Sequence, residues 1–132
     1  MYVRTFVAAV VLSLVGALSG AAHAAEPVRC SLGDKYPIRS VGPFVTMENA
    51  GYTSYNELRG AEVIVPAQPG LTREWLQRVI SYQVAEGVCD FGARNVAVSV
   101  LPAGASFSVR ISGTNQHEAQ DILRHAQQLT GK

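Results

Sequence analysis

An apolar residue at every second position is clearest in two stretches near the end of the chain, 95–101 and 106–112. The alternating apolar residues are Val96, Val98 and Val100 in the first stretch and Phe107, Val109 and Ile111 in the second. Between them, residues 102–105 read Pro-Ala-Gly-Ala, a turn sequence. Because side chains of a strand point alternately to its two faces, this pattern predicts a β-hairpin with one buried face and one solvent-exposed face.

Helical spacing replaces alternation at 72–86 and at 115–129. Thr72 and Asn115 are residues that cap helix N-termini, and Gly87 and Gly131 follow the ends of the two stretches. The apolar positions that recur every three or four residues are Leu76, Val79, Ile80 and Val84 in the first stretch and Ala119, Ile122, Leu123, Ala126 and Leu129 in the second. Two amphipathic helices are predicted.

The rest of the predicted mature chain divides into two parts at residue 61. The β-branched run at 61–66 predicts a strand that ends at Pro66. Residues 25–60 contain seven prolines and glycines and predict an irregular N-terminal arm with one short strand at 44–47. Residues 61–132 would form an α+β core, and 25–132 a single domain.

The order β-α-β-β-α predicts an α+β two-layer sandwich, with two helices on one face of a small antiparallel or mixed sheet. This order resembles a ferredoxin-like fold that lacks its last strand. In such a variant, the strand at 61–66 lies between its neighbours or beside the strand at 106–112. The N-terminal strand could then fill the vacant edge.

Residues 1–24 are predicted to be a cleaved signal peptide. Arg4 precedes an uncharged apolar run at 6–18, and Ala22-His23-Ala24 supplies small residues for cleavage. The residue directly after that site is Ala25 and not a cysteine, so a bacterial protein free in the periplasm or secreted is expected, without membrane contact after cleavage.

The predicted export bears on the oxidation state of the two cysteines. In an oxidising compartment Cys30 and Cys89 are expected to form a disulfide. The alternative is a pair of free thiols that bind a metal or act in redox chemistry, although the chain has no C-x-x-C motif.

Charge argues against nucleic acid as a partner. The chain has 11 Lys and Arg against 10 Asp and Glu. Signal cleavage removes Arg4 and no acid, so the mature domain is formally neutral. Nucleic-acid binding requires a basic surface that releases counterions, and a neutral domain lacks one.

Reactive residues are few, and no catalytic residue or cofactor is predicted. His117 and His125 lie on one predicted helix, about 80° apart around its axis and about 12 Å along it, too far to bind one metal. We therefore predict no metal site; His117, His125 and Met47 are the residues from which one would have to be built. No nucleophile elbow, Walker or zinc motif is present.

Two features could contact a ligand or partner. The N-terminal arm is aromatic, with Tyr36, Phe44, Tyr52 and Tyr55, and these rings either pack over the core or form a binding surface. The polar face of the second strand of the predicted hairpin, with Ser106, Ser108, Arg110 and Ser112, could stay exposed to solvent or accept a partner strand.

Two segments carry a resemblance, the stretch 61–84 and the helix at 122–127. The motifs of the first segment are Val63-Ile64-Val65-Pro66, Pro69-Gly70-Leu71-Thr72 and Trp75-Leu76-Gln77-Arg78. They resemble a group of small exported proteobacterial proteins of uncharacterised function. The resemblance implies export and a shared fold, and it transfers no functional residue.

Together these observations predict an exported, non-enzymatic domain that binds a partner protein or a small ligand. A periplasmic metal-handling or stress protein is the alternative, and a small hydrolase is a third interpretation. The oligomeric state is left open.

Overall fold

The computed structural model describes residues 29–130, and the predicted signal peptide at 1–24 lies outside them. The elements are a short helical turn α1 (Ser31–Asp34), β1 (Ser40–Ala50), β2 (Thr53–Pro66), α2 (Arg73–Ala85), β3 (Ala97–Ala103), β4 (Ser106–Ser112) and α3 (Gln116–Gln128). The predicted α+β class is confirmed. Both predicted helices are present within two residues of their expected ends.

The four strands form one antiparallel sheet in the order β1-β2-β4-β3. Two hairpins, β1–β2 and β3–β4, are joined through the pairing of β2 with β4, which places Val63 opposite Val109. The strand at 61–66 therefore lies beside the strand at 106–112, and β1 occupies the edge next to β2.

The N-terminal half of this sheet corrects the sequence interpretation. Residues 40–60 were expected to belong to an irregular arm, and they form β1 and most of β2. Proline is tolerated on an edge strand such as β1, and Gly51 lies in the turn, so neither breaks the sheet. Both strands also extend beyond the core, where neither face is fully buried, so the expected hydrophobic alternation is weak.

One hydrophobic core joins the helices to alternate residues of the sheet. Fully buried side chains from the two helices are Leu76 and Ile80 on α2 and Ala119, Ile122 and Ala126 on α3. Those from the sheet are Ala61, Val63, Val65, Val100, Val109 and Ile111. The other alternate residues of the sheet, which include Phe44, Glu62 and Arg110, lie on its opposite face, here called the open face.

The disulfide between Cys30 and Cys89 is confirmed, with Cα atoms 4.8 Å apart. It joins the segment before α1 to the loop after α2. Gln83 reinforces the same junction from α2, since its side chain accepts a hydrogen bond from the Ser31 backbone N–H and donates one to Ser31 Oγ, both at 2.8 Å. The two free thiols of the alternative interpretation are therefore absent.

Both helices begin at the predicted caps. Thr72 Oγ1 accepts a hydrogen bond from Trp75 N at 3.2 Å, and Asn115 Oδ1 accepts one from Glu118 N at 2.9 Å. Glu118 also accepts from Thr114, through its backbone N–H and its hydroxyl, both at 2.8 Å. The backbone hydrogen bond first, and then the hydroxyl, lowers the pKa of Glu118 below its usual 4.5.

This carboxylate predicts a pH dependence of stability. A pKa that is lower in the folded state contributes stability that is complete above the unfolded pKa and is lost as pH falls through the folded pKa. Urea unfolding of Glu118→Gln between about pH 7 and pH 3 should therefore show a flatter decline than the wild type. Glu86→Gln, which changes an exposed carboxylate beyond α2, should keep the wild-type decline; equal curves for all three proteins would refute this role of Glu118.

Candidate partner-binding surface

The first hairpin continues beyond the rest of the sheet. β2 pairs with β4 only from Gly60 to Pro66, whereas its residues 53–58 pair with β1 alone. A two-residue turn, Gly51-Tyr52, joins the strands, and Gly51 has φ 65°, as a type II′ turn requires at its first central position. We call residues 45–58 the hairpin arm.

A β-bulge separates the hairpin arm from the sheet. The register shifts between Phe44 and Val45, so that Phe44 pairs with Gly60 and Val45 with Leu58, leaving Arg59 as the extra residue. Bulges bend a strand and increase its twist. The arm therefore starts at a defined bend, at which Gly60 lies against the backbone of β4.

Exposed apolar side chains concentrate on the hairpin arm. In the part of the chain that the structure describes, six large hydrophobic side chains are exposed, and four belong to the arm: Val45, Met47, Tyr52 and Tyr55. The other two, Trp75 and Tyr82, lie on α2. The arm therefore carries most of the exposed large apolar side chains among residues 29–130, and exposed apolar surface of this kind is typical of interaction sites.

The two sides of the arm differ in character. On one side Arg59 forms ion pairs with Glu48 and with Glu57, the latter at 3.3 Å, and donates to Thr46 Oγ1 at 2.9 Å. The hydrogen bond from Arg59 lowers the pKa of Glu48. Tyr55, which pairs with Glu48 across the strands, belongs to this side. Val45 and Met47 belong to the opposite side, by the alternation of side chains along β1.

The four aromatic residues singled out in the sequence have different positions. Tyr36 is buried, and its hydroxyl accepts a hydrogen bond from Trp75 Nε1 at 3.1 Å. Phe44 is half-buried at the base of the arm, with the Arg110 guanidinium 5.0 Å from its ring centre. Tyr52 is fully exposed in the turn, and Tyr55 is 50% exposed. The structure thus places Tyr52 and Tyr55 on the arm and Tyr36 in the core.

The open face is less exposed to solvent than the sequence predicts. Ser106 and Ser108 are buried, because small side chains on a central strand are shielded by neighbours; Ser108 lies between Ile64 and Leu101. Within residues 29–130, Ser108 Oγ has no hydrogen-bond partner. Arg110 is half-buried and pairs with Glu62 at 3.2 Å. The expectation of a uniformly solvated polar surface on β4 is therefore wrong for these two serines.

The candidate metal ligands are spread over the molecule. His117 is exposed, with Nε2 3.4 Å from Asp121 Oδ2, while His125 Nδ1 lies 2.7 Å from the Asp121 carbonyl oxygen. The His125 ring packs against Gly92, and Met47 is on the arm. Residues 29–130 contain no group of three or more His, Cys, Asp and Glu side chains that could hold a metal ion.

Two concavities border Cys89, with volumes of about 650 and 700 Å³. Both are lined by Cys89, Asp90 and Phe91. Asp90, and Arg94 in the smaller one, are exposed. Sites for small molecules are usually enclosed and carry a few oriented polar groups, whereas both concavities are partly open to solvent, so the arm is the stronger candidate site.

Among residues 29–130 there is no helix long and apolar enough to cross a membrane. Neither a protein-family model, nor a curated protein, nor a solved structure matches the chain significantly. The resemblance to small exported proteobacterial proteins therefore stays a prediction, and the geometry of the site is what supports a function.

Proposed function

We propose that this protein is a non-enzymatic binding domain that docks a partner protein on the tip of its hairpin arm, with Tyr52 and Tyr55 as the main contacts. The observation that carries the proposal is the exposure of both tyrosines on a two-stranded arm that extends beyond the sheet. Tyrosine is enriched among the residues that dominate binding energy at protein interfaces.

The construction of the arm favours binding without a large entropic cost. Tyrosine has few rotatable bonds for its contact area, so little side-chain freedom is lost on binding. On the same side of the arm as Tyr55, the ion pair between Arg59 on β2 and Glu48 on β1 links the two strands, and Arg59 also pairs with Glu57 on its own strand. Such exposed pairs add little stability, but they orient the surface next to the two rings.

Two finer features belong to the same proposal. The strand order β1-β2-β4-β3, with one core shared by both long helices, supports a two-layer, ferredoxin-like variant in which β1 takes the position of the missing last strand. The disulfide fits an oxidising compartment, and with the signal-like residues 1–24 it supports a periplasmic or secreted bacterial protein.

Site-specific photocrosslinking tests the proposed function. A benzophenone amino acid at position 52 should capture one protein from an extract of the source cells, and excess unlabelled wild-type protein should abolish the product. The same probe at position 82, an exposed tyrosine of α2, should not capture that protein.

Competition identifies the contact residues. A Tyr52→Ala/Tyr55→Ala competitor should leave the crosslinked product in place, because it lacks the proposed contacts. Equal capture from positions 52 and 82, or equal competition by the double variant and the wild type, would contradict the proposal.

A further inference from the structure

The two edge strands of the sheet, β3 and β1, differ in whether side chains hydrogen-bond to their outer backbone groups. At the β3 edge, the side chain of Gln77 on α2 accepts a hydrogen bond from Val100 N at 2.7 Å and donates one to the Val98 carbonyl at 2.6 Å. A side-chain amide thus takes the place that a neighbouring strand would occupy. The β3 edge is therefore closed to strand pairing around these residues.

The β1 edge has no such cover in the part of the chain that the structure describes. Between Val41 and Asn49, the hydrogen bonds made by side chains of residues 29–130 leave the β1 backbone untouched. Proteins commonly protect an edge strand with lysines, but β1 has a single charged residue, Glu48. A long edge of this composition is a template for pairing with another strand.

The side chains of β1 add an apolar contact to that edge. Val45 is 43% exposed and Met47 is 71% exposed, both on the side of the sheet that carries the core. Pro43 has no N–H to donate, so it limits strand pairing to the part of β1 that follows it. The segment from Phe44 to Ala50 therefore combines open backbone with exposed apolar surface.

We infer that this segment pairs antiparallel with the same segment of a second copy of the chain, which makes a dimer with one continuous eight-stranded sheet. A two-fold axis at Met47 places Met47 opposite Met47 and Val45 opposite Asn49 of the second copy. Glu48 then faces Thr46, so no like charges meet across the new pair. Two antiparallel copies of this strand are compatible with each other, which is why we assign the edge to a second copy.

The inference is independent of the proposed function. Self-pairing uses the β1 backbone together with Val45 and Met47, whereas partner binding uses Tyr52 and Tyr55. The pairing can therefore fail while partner binding succeeds, or the reverse.

Sedimentation of the oxidised protein tests the inference. The wild type should sediment as a dimer at about 100 μM and dissociate on dilution. Met47→Lys should weaken self-association at least about tenfold, because it opposes two like charges at the two-fold axis. Tyr82→Lys, which changes an exposed side chain on α2, should keep the wild-type association.

A charge-pairing experiment tests the register. Met47→Glu alone should weaken self-association to a similar extent, and an equimolar mixture of Met47→Lys and Met47→Glu should recover the dimer. Far-UV circular dichroism should show all variants folded, as expected for changes at an exposed position. A monomeric wild type, dimers that persist in both single variants, or a mixture that stays monomeric would overturn the inference.

Discussion

Replacing both Cys30 and Cys89 by alanine is expected to lower the free energy of unfolding by about 4 kcal/mol. The bond joins residues 59 positions apart, and without it the unfolded chain gains the conformational freedom of that whole loop. A domain of this size has a free energy of unfolding of only about 5–15 kcal/mol, so the loss is a large part of the total. Urea unfolding followed by circular dichroism measures it.

Two comparisons separate the covalent link from packing. Wild-type protein treated with a reductant should lose a similar amount, since it keeps both sulfur atoms and lacks only the bond. A conservative change nearby, Val88→Ala at a half-buried position of the same loop, should cost much less. A loss below about 1 kcal/mol in both the double variant and the reduced protein would show that the bond is not a major source of stability.

Gly60→Ala is expected to cost about 3 kcal/mol, because the sheet has no room for a side chain there. A Cβ atom at Gly60 would lie 1.9 Å from the Ile111 carbonyl oxygen and 2.9 Å from its carbonyl carbon. Both atoms belong to the backbone of β4, so a rotamer change cannot relieve the clash. The strands would have to separate at the point where the hairpin arm joins the sheet.

Gly42→Ala is the matched control. Gly42 lies in β1 of the same hairpin, and a Cβ atom there would meet nothing within 4 Å. Both substitutions restrict the unfolded chain equally, so the difference between the two free energies of unfolding isolates the clash. Thermal and urea unfolding should place Gly42→Ala within about 0.5 kcal/mol of the wild type. Equal losses in the two variants would contradict the close approach of β2 and β4.

Elements with local signals were predictable from the sequence. The helix at 72–86 has a threonine cap and a regular apolar spacing, and the observed α2 is Arg73–Ala85. The alternation at 106–112 coincides with β4. In both cases the core covers one face of the element, so apolar residues recur along the sequence with the period of the helix or strand.

The first hairpin could not be recognised in this way. Its turn signal, Gly51-Tyr52, was available, but β1 and the first half of β2 extend past the core and lack a clear apolar period. The closeness of Gly60 to Ile111 depends on the pairing of β2 with β4, which links residues 51 positions apart. No local pattern reports such a contact.

The candidate site was only half predictable for the same reason. Tyr52 and Tyr55 were named from the aromatic content of the N-terminal region, which could not separate them from the buried Tyr36. Their exposure follows from the length of the arm. Val45 was not singled out, because an isolated valine carries no signal until the strand that exposes it is known.

The affinity of the captured partner for variants of the arm tests the central claim most directly. Tyr52→Ala/Tyr55→Ala should bind that partner at least about tenfold more weakly than the wild type, since interface tyrosines often contribute more than 1 kcal/mol each. Tyr82→Ala, which removes an exposed tyrosine from α2, should bind as the wild type does. If the double variant, folded by circular dichroism, kept the wild-type dissociation constant, the tip of the hairpin arm would not be the binding surface.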